Sequence, residues 1–123
     1  MDSTISDRIV ISRVDSIIDG DSFTVSVHGW PKIIGHKICV RVARIDCPEV
    51  RGKSAKERSL AQSARQFLKT TTAAARVIVI HHLQRDKYFR ILADVEIDGF
   101  DLGVLMIQAG FARRYTGGKR QPW

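Results

Sequence analysis

At 123 residues and 44% apolar content, the chain fits one domain, residues 1–123, with enough core to fold without staples. Twenty Lys and Arg against thirteen Asp and Glu give a formal charge of +7, so a polyanion is the first partner to consider, although a basic surface also suits an anionic membrane or plain solubility. Residues Met1 to Arg8 hold no apolar run of the kind a signal peptide or membrane span requires, and Cys39 and Cys47, eight residues apart along one strand and its exit, match neither a disulfide nor a zinc pattern.

Arg8 to Ile18 is rich in Ile and Val and reads as a strand, punctuated by Asp19-Gly20-Asp21 before Phe23, Val25 and Val27 alternate with polar residues in a second. His28 to Gly35, with Gly-Trp-Pro, reads as a loop. Ile38, Val40 and Val42 alternate with Cys39, Arg41 and Ala43 in a third strand, which ends at Pro48, a residue with no N–H for a ladder. Ser54 and Glu57 have capping-box spacing ahead of a helical stripe of Leu60, Ala61, Ala64, Phe67 and Leu68.

Val77 to Ile80 is a short apolar run suited to a buried strand, with His81-His82 as surface residues at its end rather than metal ligands. The polar stretch Gln84 to Arg90 reads as a loop, and Ile91, Ala93, Val95 and Ile97 alternate in a fifth strand. Asp98-Gly99 is a turn. Asp101 is placed to cap a second helix, with Phe100 and Leu105 as its staple, a buried face of Leu102, Leu105, Met106 and Ala109, and Gly110 as terminator. Three strands, a helix, two strands and a helix form an α+β pattern compatible with a five-stranded OB-fold barrel, and equally with other α+β arrangements.

Three charged clusters fall where a barrel rim or loop would expose them: Asp19-Gly20-Asp21, Arg41 to Glu49, and Asp86 to Arg90. Singly, Asp-Gly-Asp is the ordinary composition of a hairpin turn and Asp-Lys-Tyr that of a solvated loop. Arg41 differs, because it shares its face with small Cys39 and Ala43 and calls for an anion. Together the clusters supply what phosphodiester hydrolysis needs. Asp21 and Asp46 offer hard oxygens for a cation such as Ca²⁺, Glu49 is a base for water, and Arg41 and Arg90 present guanidinium forks to phosphoryl oxygens.

The motifs Ile18-Asp19-Gly20-Asp21-Ser22-Phe23, Arg41-Val42-Ala43-Arg44-Ile45-Asp46-Cys47-Pro48-Glu49 and Asp86-Lys87-Tyr88-Phe89-Arg90 resemble, in that order, those of the staphylococcal thermonuclease family, over about residues 9–115. The resemblance implies an OB-fold nuclease that requires Ca²⁺, cuts DNA and RNA, and leaves 3′-phosphate ends. It implies Asp21, Asp46 and the backbone carbonyl of Cys47 as metal ligands, Asp19 in the outer shell, and Arg41, Glu49 and Arg90 as the catalytic trio. Lys87, Tyr88 and Tyr115 would contact substrate, though Tyr115 has an equal reading as a core residue. Phe89 stands where the family carries Gly, which bears on the aim of Arg90 if that backbone requires φ > 0. The third, C-terminal helix of longer members is absent, and Trp123 is expected to pack against the barrel instead.

DNA and RNA are thus the expected partners, with no membrane, no obligate protein partner and a monomeric state. The competing reading is a binding module or a scaffold with a relic site. Acidic side chains gathered in a pocket for polyanions argue against a pure binder, because they repel the ligand unless a cation intervenes. A broad nuclease endangers its host and calcium is plentiful outside cells, which favours a secreted or periplasmic origin with a signal segment removed.

Overall fold

A computed structural model describes residues 7–86, 88 and 90–123. In chain order the elements are β1 (Ile9–Val10), β2 (Arg13–Asp19), β3 (Ser22–Ser26), α1 (Lys32–Gly35), β4 (Ile38–Val42), β5 (Ile45–Asp46), α2 (Ala55–Ala74), β6 (Ile78–Arg85), β7 (Ile91–Ile97), β8 (Phe100–Asp101), α3 (Leu102–Gln108) and β9 (Arg113–Arg114).

The main sheet has the order β1-β6-β7-β4-β3-β2, antiparallel except where β4 runs parallel to β7, and β8 pairs with β7. Its two ends, β1 and β2, are separated by Ile11 and Ser12 alone, so the sheet has to curl on itself. The Ile11 N–H to the Ile78 carbonyl at 2.9 Å and the Ser12 N–H to the Ser26 carbonyl at 3.0 Å continue the pairing through that corner. A curled mixed sheet with helices packed on it is the OB-like α+β fold that the strand order suggests.

The alternation read from the sequence decides which side chains line the interior. Phe23, Val25, Val40, Val42, Ile80, Ala93 and Val95 are buried among Leu68 of α2 and Leu102 and Met106 of α3. Arg41, out of phase with Val40 and Val42, is left on the opposite face of β4.

Helix α2 starts where expected, with Ser54 Oγ accepting the Glu57 N–H at 3.0 Å. Asp101 likewise caps α3, its Oδ2 accepting the Val104 N–H at 2.9 Å, and Schellman bonds from Phe111 to the Met106 carbonyl and from Gly110 to the Ile107 carbonyl close it. Among the described residues no helix follows α3, no helix is long and apolar enough to cross a membrane, and both cysteines are free.

Several boundaries differ from the sequence reading. The stretch taken as a loop before β4 contains the short helix α1. Strand β6 runs on to Arg85, because past a bulge between His81 and Gln84 it regains register with β7 through Gln84–Leu92 and Arg85–Ile91. His81 and His82 therefore lie within a strand, not at its end. Phe100 is exposed and forms the β8 edge, and Ala109 is also exposed.

Candidate functional site

Four stretches of chain enclose a cleft of about 790 Å³: the β2–β3 turn, the run from β4 through β5 to Glu49, the β6–β7 loop, and the segment after β9. Its lining includes Asp19, Asp21, Arg41, Asp46, Glu49, Tyr88, Arg90 and Tyr115, so the described side chains expected at the site come together in one place. Lys87 and Phe89 lie outside the described residues.

The β2–β3 turn is Gly20-Asp21. Gly20 is required by close approach: a Cβ there would stand 2.8 Å from the Ala64 Cβ of α2 and 3.2 Å from the Cys47 sulfur. The turn is thereby pressed against the helix and Asp21 is carried inward. Asp21 is 6% exposed; its Oδ2 accepts the Cys47 N–H at 3.0 Å and lies 2.9 Å from Arg41 Nη1. Burial pushes its pKa up to about 6, against the pull of Arg41 and the Cys47 N–H, with Asp19 and Asp46 adding to the rise. Asp19 Oδ1 accepts the Val50 N–H at 2.9 Å, fixing the loop that follows Glu49.

Asp46 is 2% exposed, on β5, whose partner is β9 with Asp46 opposite Arg113. Burying a lone carboxylate is costly, and here it gathers cations: Arg113 Nη2 at 3.2 Å, Arg120 Nε at 2.9 Å and Arg41 Nη2 at 4.0 Å. Arg41 is further fixed by donating to the carbonyls of Val42 and Ile45, both at 3.1 Å. Glu49 is exposed, its backbone N–H donating to Glu57 Oε2 at 3.0 Å and its carboxylate 2.8 Å from Arg120 Nη1.

Across the cleft, Asp86 organises the β6–β7 loop. Its Oδ1 accepts the N–H groups of Tyr88 and Arg90, both at 2.9 Å, and its Oδ2 accepts Arg90 Nε at 2.7 Å. Burial raises the Asp86 pKa, but these bonds outweigh it and the carboxyl titrates below its ordinary value. Arg90 also lies over the Tyr88 ring, 5.1 Å from its centre. Tyr115 is half-buried, its hydroxyl donating to the Gly118 carbonyl at 2.7 Å.

Three residues that the sequence reading did not place at the site meet there. Arg120 spans Asp46, Glu49 and, through Nη2 at 3.1 Å, the carbonyl of Cys47, with Glu57 at 3.7 Å. Arg113 joins Asp46 to the carbonyls of Gln121 and Pro122 and packs its guanidinium 3.9 Å from the centre of the Trp123 ring. Trp123 thus packs on Arg113 of β9. Glu57 joins the start of α2 to the Glu49 backbone. No sequence pattern marks Arg120, which follows Gly117-Gly118-Lys119.

A second cluster borders the same cleft through Arg44, His82 and Asp94. His82 Nδ1 and Arg44 Nη2 each lie 2.6 Å from one oxygen of buried Asp94, while His81 Nε2 is 3.0 Å from Glu96. Adjacent strand residues ordinarily face opposite ways, but His82 has φ 53 in the bulge, and the His81 and His82 rings come within 4.4 Å of each other. With Asp94 they offer ligand atoms within 4.8 Å, the imidazole-carboxylate combination that suits transition ions. Both oxygens of Asp94 are, however, already engaged.

Asp46 Oδ1 and the Cys47 carbonyl already receive a cation, since the Arg120 guanidinium stands where a metal bound to them would. With Asp21 beside them they form a hard-oxygen set of the kind Ca²⁺ takes. The Cys47 thiol is buried against Gly20, and burial pushes its pKa well up.

Compared with curated proteins, the chain finds no match. The family model described as "Staphylococcal nuclease homologue" matches residues 39–122, a span that starts just before Arg41, ends beyond Arg120, and leaves the Asp19-Gly20-Asp21 turn outside it. The family is one of nucleases, which accords with a basic chain whose cleft gathers carboxylates and guanidinium groups. With well over half of its length matched, the chain belongs to the staphylococcal nuclease homologue family.

Proposed function

We propose that the protein is a calcium-dependent nuclease that hydrolyses phosphodiester bonds of DNA and RNA and leaves 3′-phosphate ends. The observation that carries this reading is the meeting of Asp21, Asp46, Glu49, Arg41 and Arg90 around one cleft of a chain with a charge of +7. Asp21, Asp46 and the Cys47 carbonyl would hold Ca²⁺, with Asp19 behind them. Bound there, the ion supplies Lewis-acid polarisation of a phosphate oxygen and a template for water.

Glu49, on the exposed lip of the site, accepts a proton from the attacking water. Its backbone is tethered to Glu57 while its side chain reaches solvent, which suits a base that must meet water. Arg41 is immobilised by two carbonyls and by Asp21, so its charge is in place before the phosphate arrives. Arg90 is held through Nε, which leaves its two terminal nitrogens for phosphoryl oxygens as negative charge builds. Tyr88, Tyr115 and Lys87 complete the substrate contacts, with Tyr88 exposed on the lining and Tyr115 beside the tail.

The test is digestion of denatured DNA and of RNA by the purified chain with Ca²⁺ or with EGTA, beside Glu49→Gln prepared identically. Cleavage that requires Ca²⁺ and disappears in the variant supports the proposal. A folded chain that binds DNA in chelator and never cuts it would make the protein a binding module.

A further inference from the structure

The guanidinium of Arg120 occupies the oxygen set assigned above to calcium. Its Nε is 2.9 Å from Asp46 Oδ1, its Nη2 is 3.1 Å from the Cys47 carbonyl, and its Nη1 is 2.8 Å from Glu49. Two of three proposed ligands and the proposed base are thus committed to one side chain. Calcium binds its oxygens at about 2.3–2.6 Å, inside the distance at which these N–H groups now sit, and two cations cannot share the same lone pairs.

The segment carrying Arg120 is folded back by specific contacts. Gly117 and Gly118 adopt φ 105 and 84, left-handed values that side chains resist, and so reverse the chain toward the cleft. Tyr115 holds the Gly118 carbonyl, and Arg113 grips the carbonyls of Gln121 and Pro122 and stacks on Trp123. The hold is loose in two respects. Arg120 keeps 34% of its side chain exposed, and the buried Trp123 Nε1 has no hydrogen-bond partner among the described residues, so undocking into water costs that group no bond.

We infer that Arg120 is a tethered cation that closes the metal position, so that calcium enters by displacing it and the segment from Gly117 to Trp123 sets the calcium threshold of the enzyme. This rests on the calcium reading above and adds a competitor built into the chain. Affinity for calcium is then reduced by the fraction of molecules with Arg120 docked. Displacement also releases Glu49, so the base becomes available in the same event that fills the site. Lysine would be a poorer plug, because an ammonium cannot span the three acceptors as a planar fork does.

The experiment measures calcium binding without nucleic acid, by calorimetry on the full chain, Arg120→Ala and Arg120→Lys, with Trp123 emission followed in a Trp30→Phe background. The expected result is calcium affinity about tenfold or more tighter in Arg120→Ala and intermediate in Arg120→Lys. The full chain should show a red shift of Trp123 as calcium binds, with the same midpoint as the calorimetry. Equal affinities with unmoved Trp123 emission would overturn the inference and leave the calcium reading standing. Weaker binding in Arg120→Ala would overturn it too, since Arg120 would then support the site. No calcium binding in any of the three proteins would remove the calcium reading and the inference together.

Discussion

The backbone N–H of Glu49 donates to the Glu57 carboxylate at 3.0 Å, so a side chain in the first turn of α2 fixes the peptide that carries the proposed base. Ser54 still caps the helix through the Glu57 N–H, which separates the two roles of this turn. Glu57→Ala should therefore lower kcat by about tenfold with little change in KM, the scale of a lost hydrogen bond to a charged group. Glu57→Gln, which keeps an acceptor oxygen, should recover most of the rate. Steady-state kinetics with thermal melts check this; equal losses in both variants would tie the effect to charge instead of position.

Removing the proposed base itself is the larger perturbation. Glu49→Gln is expected to fold and bind DNA as the parent does while turnover falls about a hundredfold or more. The residue is exposed and its tether to Glu57 is through the backbone, so nothing in the core depends on it. Turnover within a factor of about three of the parent would take Glu49 out of the mechanism.

Gly20 and Ala64 meet so closely that a methyl group on the turn would overlap the helix, with 2.8 Å between Cβ atoms. Gly20→Ala should cost about 1–3 kcal/mol by overpacking. Adding Ala64→Gly should return part of it, although glycine inside α2 itself costs about 1 kcal/mol. Urea denaturation of the two single variants and the double variant measures the coupling; strictly additive effects would show that the turn has room to shift.

Asp21 sets a pH dependence with a definite sign. Its carboxyl binds a proton more tightly in the folded protein than in the unfolded chain, the pKa rising from 3.8 to about 6, mainly through burial. Between those values the folded state carries more protons, so stability falls as pH rises through the window and levels off above it. The full difference corresponds to about 3 kcal/mol. Asp21→Asn keeps an acceptor for the Cys47 N–H and lacks that fall, so it should match the parent near pH 4 and exceed it by about 1 kcal/mol or more at pH 7. Thermal melts across pH decide the matter, and a variant less stable at pH 7 would mean that the Arg41 ion pair outweighs burial.

The parts of this molecule governed by short-range pattern are those that the sequence displays. Alternation put Arg41 on the face opposite Val40 and Val42, and the anion that its position calls for is Asp21. Ser54 and Asp101 cap the helices they precede. What the sequence hides depends on contacts between distant residues or on a single unusual backbone angle. Arg120 reaches Asp46 across 74 positions, and only after two left-handed glycines have turned the chain. His81 and His82 share a side because one residue in a bulge departs from the extended conformation, which no periodicity announces. Gly20 looks like a turn former and is instead a clearance between a turn and a helix.

The parallel join of β4 to β7 has a consequence for how the protein is made. Val40 pairs with Ile91 and Arg41 with Leu92, so the two guanidinium-bearing halves of the cleft are brought together by a contact that spans all of α2. Hairpins such as β2–β3 and β6–β7 close over short loops, whereas this join carries a long loop-closure cost and forms slowly. On the proposed mechanism, Arg41 and Arg90 can face a common phosphate only after it has formed. Catalytic competence during refolding should therefore appear with the slow phase, later than the far-ultraviolet signal of α2, and a chain caught before that step would have its secondary structure and no activity.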